Sequence, residues 1–229
     1  KTFTEVAKKA TNHTAMYSMG SDHADFDGDG LIDFVQLDMN PADNYRNKVN
    51  MASMNIPLFW AQVDNGLHYQ YMHNVLQLNS GIIDGIPQFS DISQMTGISS
   101  TDWSWSVLAL DVNNNANKDI FITNGTRRDI NNRDFFNNLK GLAYSSAERK
   151  LKKSKEIPSE PIANYLFLNH GNLSFEDVSQ PSGISQPSFS NGMAYGDLDN
   201  DGDLDVVINN IDQEAFVYEN NTSKNETSN

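Results

Sequence analysis

The sequence predicts an all-β protein of repeated, roughly four-stranded units, with helix and loop insertions between them. Two observations carry that expectation: three acidic loops share one internal spacing, and short β-type motifs stand at fixed distances from each loop. Self-similarity of this kind marks an array of supersecondary units rather than one irregular core.

The first loop reads Asp25-Phe-Asp27-Gly-Asp29-Gly-Leu31-Ile-Asp33, and the second Asp111-Val-Asn113-Asn-Asn115-Ala-Asn117-Lys-Asp119. The third reads Asp197-Leu-Asp199-Asn-Asp201-Gly-Asp203-Leu-Asp205. Each places oxygen side chains at positions 1, 3, 5 and 9. Carboxylates crowded this closely repel one another unless a cation neutralises them. An all-oxygen donor set without Cys or His points to calcium. A backbone carbonyl near position 7 completes such a site, here from Leu31, Asn117 or Asp203. The expectation is therefore up to three Ca2+. Loop 111–119 is the weakest, because Asn replaces Asp at positions 3 and 5 and Ala116 stands where Gly30 and Gly202 allow a sharp bend.

An EF-hand is excluded. It requires Glu at position 12 and flanking helices, whereas position 12 is Gln36 in the first loop and Ile208 in the third. The runs after the loops, 31–37, 119–123 and 205–209, are rich in branched residues and read as strands. Each loop is thus expected at the corner of a β-hairpin.

Further elements keep the same frame. Phe3-Thr-Glu-Val6, Phe89-Ser-Asp-Ile92 and Phe175-Glu-Asp-Val178 each begin 22 residues before a loop, and Gly20, Ser106 and Gly192 lie five before it. Asn74–Asn79 and Asn164–Asn169 are strand-like runs ending in Asn, and Gln213–Asn220 starts the same element again. One unit reads: strand ending in Asn, turn, Phe motif, Gly, strand, acidic loop, strand. Four strands is the size of a β-propeller blade. The expected units are 1–73 with its opening strand missing, 74–163 and 164–219, followed by a polar tail or next element at 220–229. A closed propeller uses four to eight blades, so three imply further blades outside this sequence.

The pattern resembles the FG-GAP/VCBS repeat of integrin α-subunit β-propellers and of many bacterial surface proteins. The stretches Leu37–Arg46, His68–Met72, Thr101–Trp105 and Gln186–Asn191 are similar to bacterial VCBS-repeat proteins of the CRTAC/ASPIC-UnbV type. The resemblance covers nearly the whole chain. It implies a propeller with calcium in its acidic loops.

The chain has 229 residues, enough for a sizeable core, and a formal charge of −14. Positions 1, 3, 5 and 9 of the loops hold four, two and four carboxylates, 10 of the 30 acidic residues. The acidity is thus partly a property of the metal sites. Nucleic acid is excluded as a partner, since phosphate contacts need a basic surface. The absence of Cys rules out disulfides and thiolate metal sites. Low-affinity calcium modules work where calcium is millimolar, so an extracytoplasmic setting is expected: secreted, periplasmic or on a bacterial outer surface. No apolar run is long enough for a transmembrane helix.

Two insertions interrupt the frame, 40–73 and 125–163. Loops added to a rigid scaffold commonly carry binding, so a protein partner or glycan is expected there. The first is aromatic and Met-rich, with Tyr45, Met51, Met54, Phe59, Trp60, Tyr69, Tyr71 and Met72. Packing of the insertion onto its unit is favoured over a stacking platform. The second offers a helix near 134–144, then a basic run at 148–156 read as a solvated helix face. Trp103 and Trp105 alternate, which predicts one shared sheet face.

No catalytic constellation is visible: no Cys nucleophile, Gly-x-Ser-x-Gly elbow, Walker loop or His-Glu-x-x-His. His68 and His73 are close in sequence but lack a third metal ligand, and His23 beside the first loop reads as a polar residue at its mouth. The expected role is a calcium-stabilised scaffold for protein or glycan binding. The alternatives are part of a polysaccharide-acting enzyme, or a structural subunit of an outer-surface complex.

Overall fold

Each acidic loop is the turn of an antiparallel hairpin, and each hairpin starts a separate sheet. The computed structural model describes residues 2–50, 56–139 and 145–223. In the first hairpin β2 (Ser21–Ala24) pairs with β3 (Asp33–Gln36). In the second β8 (Asp102–Leu110) pairs with β9 (Asp119–Asn124), and in the third β12 (Ser190–Gly196) pairs with β13 (Asp205–Asn210). Position 9 of every loop opens the second strand, opposite Ala24, Leu110 and Gly196 respectively.

The runs ending in Asn extend these hairpins. β6 (Val75–Ile83) lies on β3, β10 (Tyr165–Asn169) on β9 and β14 (Phe216–Tyr218) on β13. The Phe motifs add outer strands β7 (Ile86–Asp91) and β11 (Phe175–Asp177). A short β4 (Met39–Asn40) joins the other edge of the second sheet, which runs β11-β10-β9-β8-β4. A parallel pair, β1 (Thr14–Ala15) and β5 (Gln70–Tyr71), ties the segment before the first loop to the end of the first insertion.

Sheet and sequence unit are out of phase. The units drawn at 1–73, 74–163 and 164–219 open with the Asn strand, but that strand pairs with the hairpin preceding it. The cause lies at position 9: Asp33 and Asp119 accept the backbone N–H of Asn79 and Asn169 at 2.8 Å, and Asp205 that of Asn220 at 2.8 Å. Each buried carboxylate docks the Asn strand onto its own hairpin.

The middle sheet is packed on both faces. Every residue of β9 is buried. Ile120 and Ile122 face a core shared with Phe26, Val35 and Leu76 of the first sheet. Phe121, one residue out of phase, faces Val206 and Ile208 of the third. Strand alternation therefore makes a continuous apolar run serve two interfaces. Each such side chain is worth about 1.5–3 kcal/mol when fully buried. The sheets approach closely at Gly20, where an added Cβ would lie 2.5 Å from the carbonyl oxygen of Trp105.

Helices stay outside the sheets. One-turn helices α1 (Ala7–Ala10) and α4 (Ser93–Thr96) follow the first two Phe motifs. The first insertion holds α2 (Asn44–Asn50) and α3 (Ile56–Asp64), and the second α5 (Arg133–Asn137) and α6 (Ala147–Ser154). The helix expected near 134–144 is short, and 140–144 lie outside the described residues. The basic run is itself helical: Ser146 caps α6 by accepting from Arg149, and α6 buries no residue. The shared face expected for Trp103 and Trp105 is interrupted by a bulge between Ser104 and Ser106, which makes Trp105 the extra residue. Trp103 is buried, whereas Trp105 is half-buried with its indole N–H donating to Gly125.

Candidate metal centres

The three loops close with one hydrogen-bond plan. The position-1 carboxylate accepts from the position-5 and position-6 amides: Asp25 from Asp29 and Gly30, Asp111 from Asn115 and Ala116, Asp197 from Asp201 and Gly202, all at 2.8–3.2 Å. Position 3 accepts from position 5, so Asp27, Asn113 and Asp199 each turn inward. Asp29, Asn115 and Asp201 accept from the amides of Leu31, Asn117 and Asp203 at 2.7–3.0 Å. Position 9 spans the loop mouth, with Asp33, Asp119 and Asp205 accepting from Phe26, Val112 and Leu198 at 2.9 Å. Left-handed backbone at position 6 tightens the bend, with φ of 86° at Gly30, 71° at Ala116 and 93° at Gly202.

This folding gathers ligand oxygens. In the first loop Asp25, Asp27 and Asp29 bring carboxylate oxygens within 4.8 Å of one another, and in the third Asp197, Asp199 and Asp205 do so. Asp33 and Asp201 stand outside those two groups, and the second loop, with Asn113 and Asn115, forms none. Asp203 is fully buried, its carboxylate accepting from Asn114 of the second loop at 2.8 Å and from the Ser223 amide at 2.7 Å.

In the first two loops burial, with neighbouring charge adding to it, raises the proton affinity of particular carboxylates. Burial raises the Asp27 carboxyl above its ordinary value, and the charges of Asp29 and Asp25 add to it against a hydrogen bond from Asp29. Burial likewise raises Asp33, with Asp27 and Asp25 adding and the Asn79 and Phe26 amides opposing. Asp119 is raised by burial, with Asp111 adding. Like charges facing one another across a few ångströms are what a bound divalent cation would relieve. The first and third loops fit a hard cation by donor chemistry; the second offers fewer carboxylates.

The loops form a row along one end of the sheets, and the insertions depart from the opposite end. There Arg46 of α2, 4% exposed, reaches from the first insertion to β8 and to the second insertion. Its Nε and Nη2 donate to the two oxygens of Asp102 at 2.8 and 3.0 Å, and Nη1 reaches Glu160 at 2.8 Å and Asp129 at 3.3 Å. The carboxylates hold the guanidinium charged despite burial, while burial pushes Asp129 up. A cavity of about 330 Å³ opens beside this cluster, lined by Tyr45, Asn50, Asn132 and Glu160 among others. Among the described residues the Asn50 amide, 1% exposed, has no partner for Nδ2 or Oδ1. Arg46 lay within the stretch 37–46, but nothing in its spacing announced partners in the second insertion.

The aromatic insertion divides. Phe59 stacks on Tyr71 with centroids 5.7 Å apart, as a packed insertion requires. Tyr45 and Trp60 remain more than half exposed, and Met51 and Met54 lie outside the described residues. His23 is exposed beside Asp22. His68 contacts Thr11 at 3.1 Å and does not meet His73; His73 instead faces His13 and Asp91. Among the described residues no helix is long and apolar enough to cross a membrane.

Hairpins cornered by acidic nine-residue loops, repeated in register and stacked face to face, define a β-repeat protein. Residues 159–208, which include β10 to the larger part of β13 and the whole third loop, match the family model described as an FG-GAP-like repeat. The chain thus carries an FG-GAP-like repeat within residues 159–208. No curated protein matches it.

Proposed function

We propose that the chain is a calcium-stabilised segment of an extracytoplasmic β-propeller that serves as a scaffold for binding or assembly. The three sheets are its blades, and the acidic corners hold them. The observation that carries this reading is the shared loop plan, which in the first and third copies converges three carboxylates. Asp25, Asp27, Asp29 and Asp33 would hold one ion, and Asp197, Asp199, Asp201 and Asp205 another. The carbonyls of Leu31 and Asp203 would complete them. Loop 111–119 would bind most weakly. FG-GAP-like repeats typically work outside the cell, where calcium is abundant. The CRTAC/ASPIC-UnbV affinity rests on the sequence motifs quoted above.

Partner contact belongs to the insertion end, where Tyr45 and Trp60 are exposed around the cavity and α3. A protein or glycan ligand suits that mixture of aromatic faces and amides. The enzymatic alternative gains little support there, because the carboxylates of Asp129 and Glu160 are engaged by Arg46.

Thermal melting in EDTA and across a calcium titration, with magnesium as control, tests the proposal. At 100 times Kd each ion adds about 2.7 kcal/mol. A melting temperature that climbs with calcium but not magnesium, and fails to climb in Asp25→Asn/Asp197→Asn, is the expected result. No calcium response would remove the metal and the argument for an extracytoplasmic setting. Glycan and partner screens on the calcium-loaded chain, repeated with Trp60→Ala, then test the insertion face.

A further inference from the structure

A second kind of metal site lies away from the acidic corners. His13 precedes β1, His73 precedes β6, and Asp91 closes β7, so three separate segments converge. His13 Nε2 stands 3.1 Å from Asp91 Oδ2, and His73 Nδ1 stands 3.9 Å from the same oxygen. The two imidazole centroids are 5.6 Å apart. One ligand atom from each of the three lies within 4.8 Å of the others. The side chains are 20%, 16% and 6% exposed, sheltered yet reachable from solvent.

Each group is oriented by neighbours. Asp91 Oδ1 accepts from the amides of Leu76 at 3.1 Å and Ser93 at 2.9 Å, and Oδ2 accepts from the Ser93 hydroxyl at 3.1 Å. His73 Nδ1 donates to the carbonyl of Asn74 at 2.7 Å, which fixes the orientation of its ring. Tyr71 packs edge-on against His13 and flat against His73. The buried Gln77 donates to the carbonyl of His13 at 3.0 Å. Hydrogen bonds that fix ring and carboxylate orientation are what metal ligands require around them.

The repeat separates structural need from a further role. Asp177, the counterpart of Asp91 in the third Phe motif, also accepts from the serine two residues on. An acid here thus has a structural duty in the frame. The two histidines have no such duty: the third copy has no histidine at positions corresponding to either. We propose that His13, His73 and Asp91 bind one zinc-class divalent transition ion. Two imidazoles and one carboxylate select such an ion over calcium or magnesium, and three protein ligands leave a coordination position open. The ion would staple the segment before the first hairpin, and the end of the first insertion, to the first sheet.

The test uses the whole chain, stripped with EDTA, dialysed, and held in excess calcium to occupy the oxygen loops. Zinc is titrated against a chromophoric chelator. One equivalent is expected to bind. His13→Gln and His73→Gln should each weaken binding by at least the ~10–100-fold that changes around a metal's ligands cost, while His170→Gln, at an exposed histidine paired with Glu176, leaves it unchanged. Cobalt in the unaltered chain should give the intense visible bands of a four-coordinate site, which stays decisive should a histidine variant unfold. No stoichiometric zinc, equal binding in folded histidine variants, or a cobalt spectrum like that of the free aqueous ion would each overturn the proposal.

Discussion

The side-chain amide of Asn169 donates to the carbonyl of Phe26, 143 residues away, at 2.8 Å, and to the carbonyl of Lys118 in its own loop at 3.1 Å. Asn220 does the same one sheet along, donating to Val112 at 2.7 Å and Leu204 at 3.4 Å. Each Asn thus joins position 8 of its own hairpin's loop to position 2 of the preceding loop. Asn79 makes the own-loop half, donating to Ile32 at 3.1 Å. The acidic corners are coupled through amides, whatever occupies them.

That coupling predicts a hierarchy. Asn169→Ala leaves two carbonyls without their donor at a fully buried site, at a cost of about 1–3 kcal/mol for each group left unpaired. Asn220 sits at a half-buried position, so Asn220→Ala should cost less. Urea midpoints of the two variants check the order. Equal, small effects would mean that the corners are independent.

Backbone strain at position 6 gives a prediction of opposite sign. Ala116 holds φ at 71°, where an L side chain costs about 1–2 kcal/mol. Ala116→Gly should therefore raise the melting temperature, and Gly30→Ala, at φ 86°, should lower it. The space around Gly30 is open, with nothing within 4 Å of an added Cβ, so the loss there reads backbone conformation alone.

Much of this architecture was legible because repetition multiplies weak signals. One acidic loop is a turn; three in register, each followed by a branched run, fix hairpins, and the structure pairs Ala24 with Asp33 and Leu110 with Asp119 accordingly. The grouping of strands into sheets was not legible. It depends on the N–H of Asn79, Asn169 and Asn220 reaching a buried carboxylate in the preceding hairpin, a contact between residues 46, 50 and 15 apart. Local patterning is silent on such pairing. The histidine cluster was missed for a similar reason: His13 and Asp91 are 78 residues apart, and only the parallel pairing of β1 with β5 brings His13 toward His73.

Asp38 predicts a pH dependence. It is fully buried between β3 and β4, accepting from the amides of Tyr17 and Met39 at 2.7 Å. Burial raises its carboxyl above the ordinary value, with those amides opposing. A folded-state value above the unfolded one means that the native state binds the extra proton. Its contribution is present below the unfolded value, near 3.9, and is lost as pH rises through the folded value. The equivalent positions in the other copies hold Asn124 and Asn210. Asp38→Asn should flatten the decline of stability with rising pH, measured as the difference in slope of unfolding free energy between the two proteins. An unchanged slope would place the ionisation elsewhere.

Arg46 carries the prediction for the insertion end. Its guanidinium grips Asp102 with two bonds while facing Asp129, and both carboxylates are 3% exposed. Asp102 also holds φ at 140°, a conformation an L residue keeps only when its surroundings impose it. Arg46→Ala removes the only cation that touches either acid among the described residues, and breaking a buried pair from one side costs about 3–5 kcal/mol. Asp129 is already raised by burial, so part of that loss should return at acidic pH as the orphaned carboxyls take up protons. Because α2 belongs to the first insertion and Asp129 and Glu160 to the second, the variant should also release one from the other. Hydrogen exchange then separates two outcomes. Faster exchange around Asp129–Asn132 and at the start of β8, with the acidic corners still protected, means that Arg46 assembles the insertions into one surface. Uniform acceleration across all three sheets means that it supports the fold as a whole.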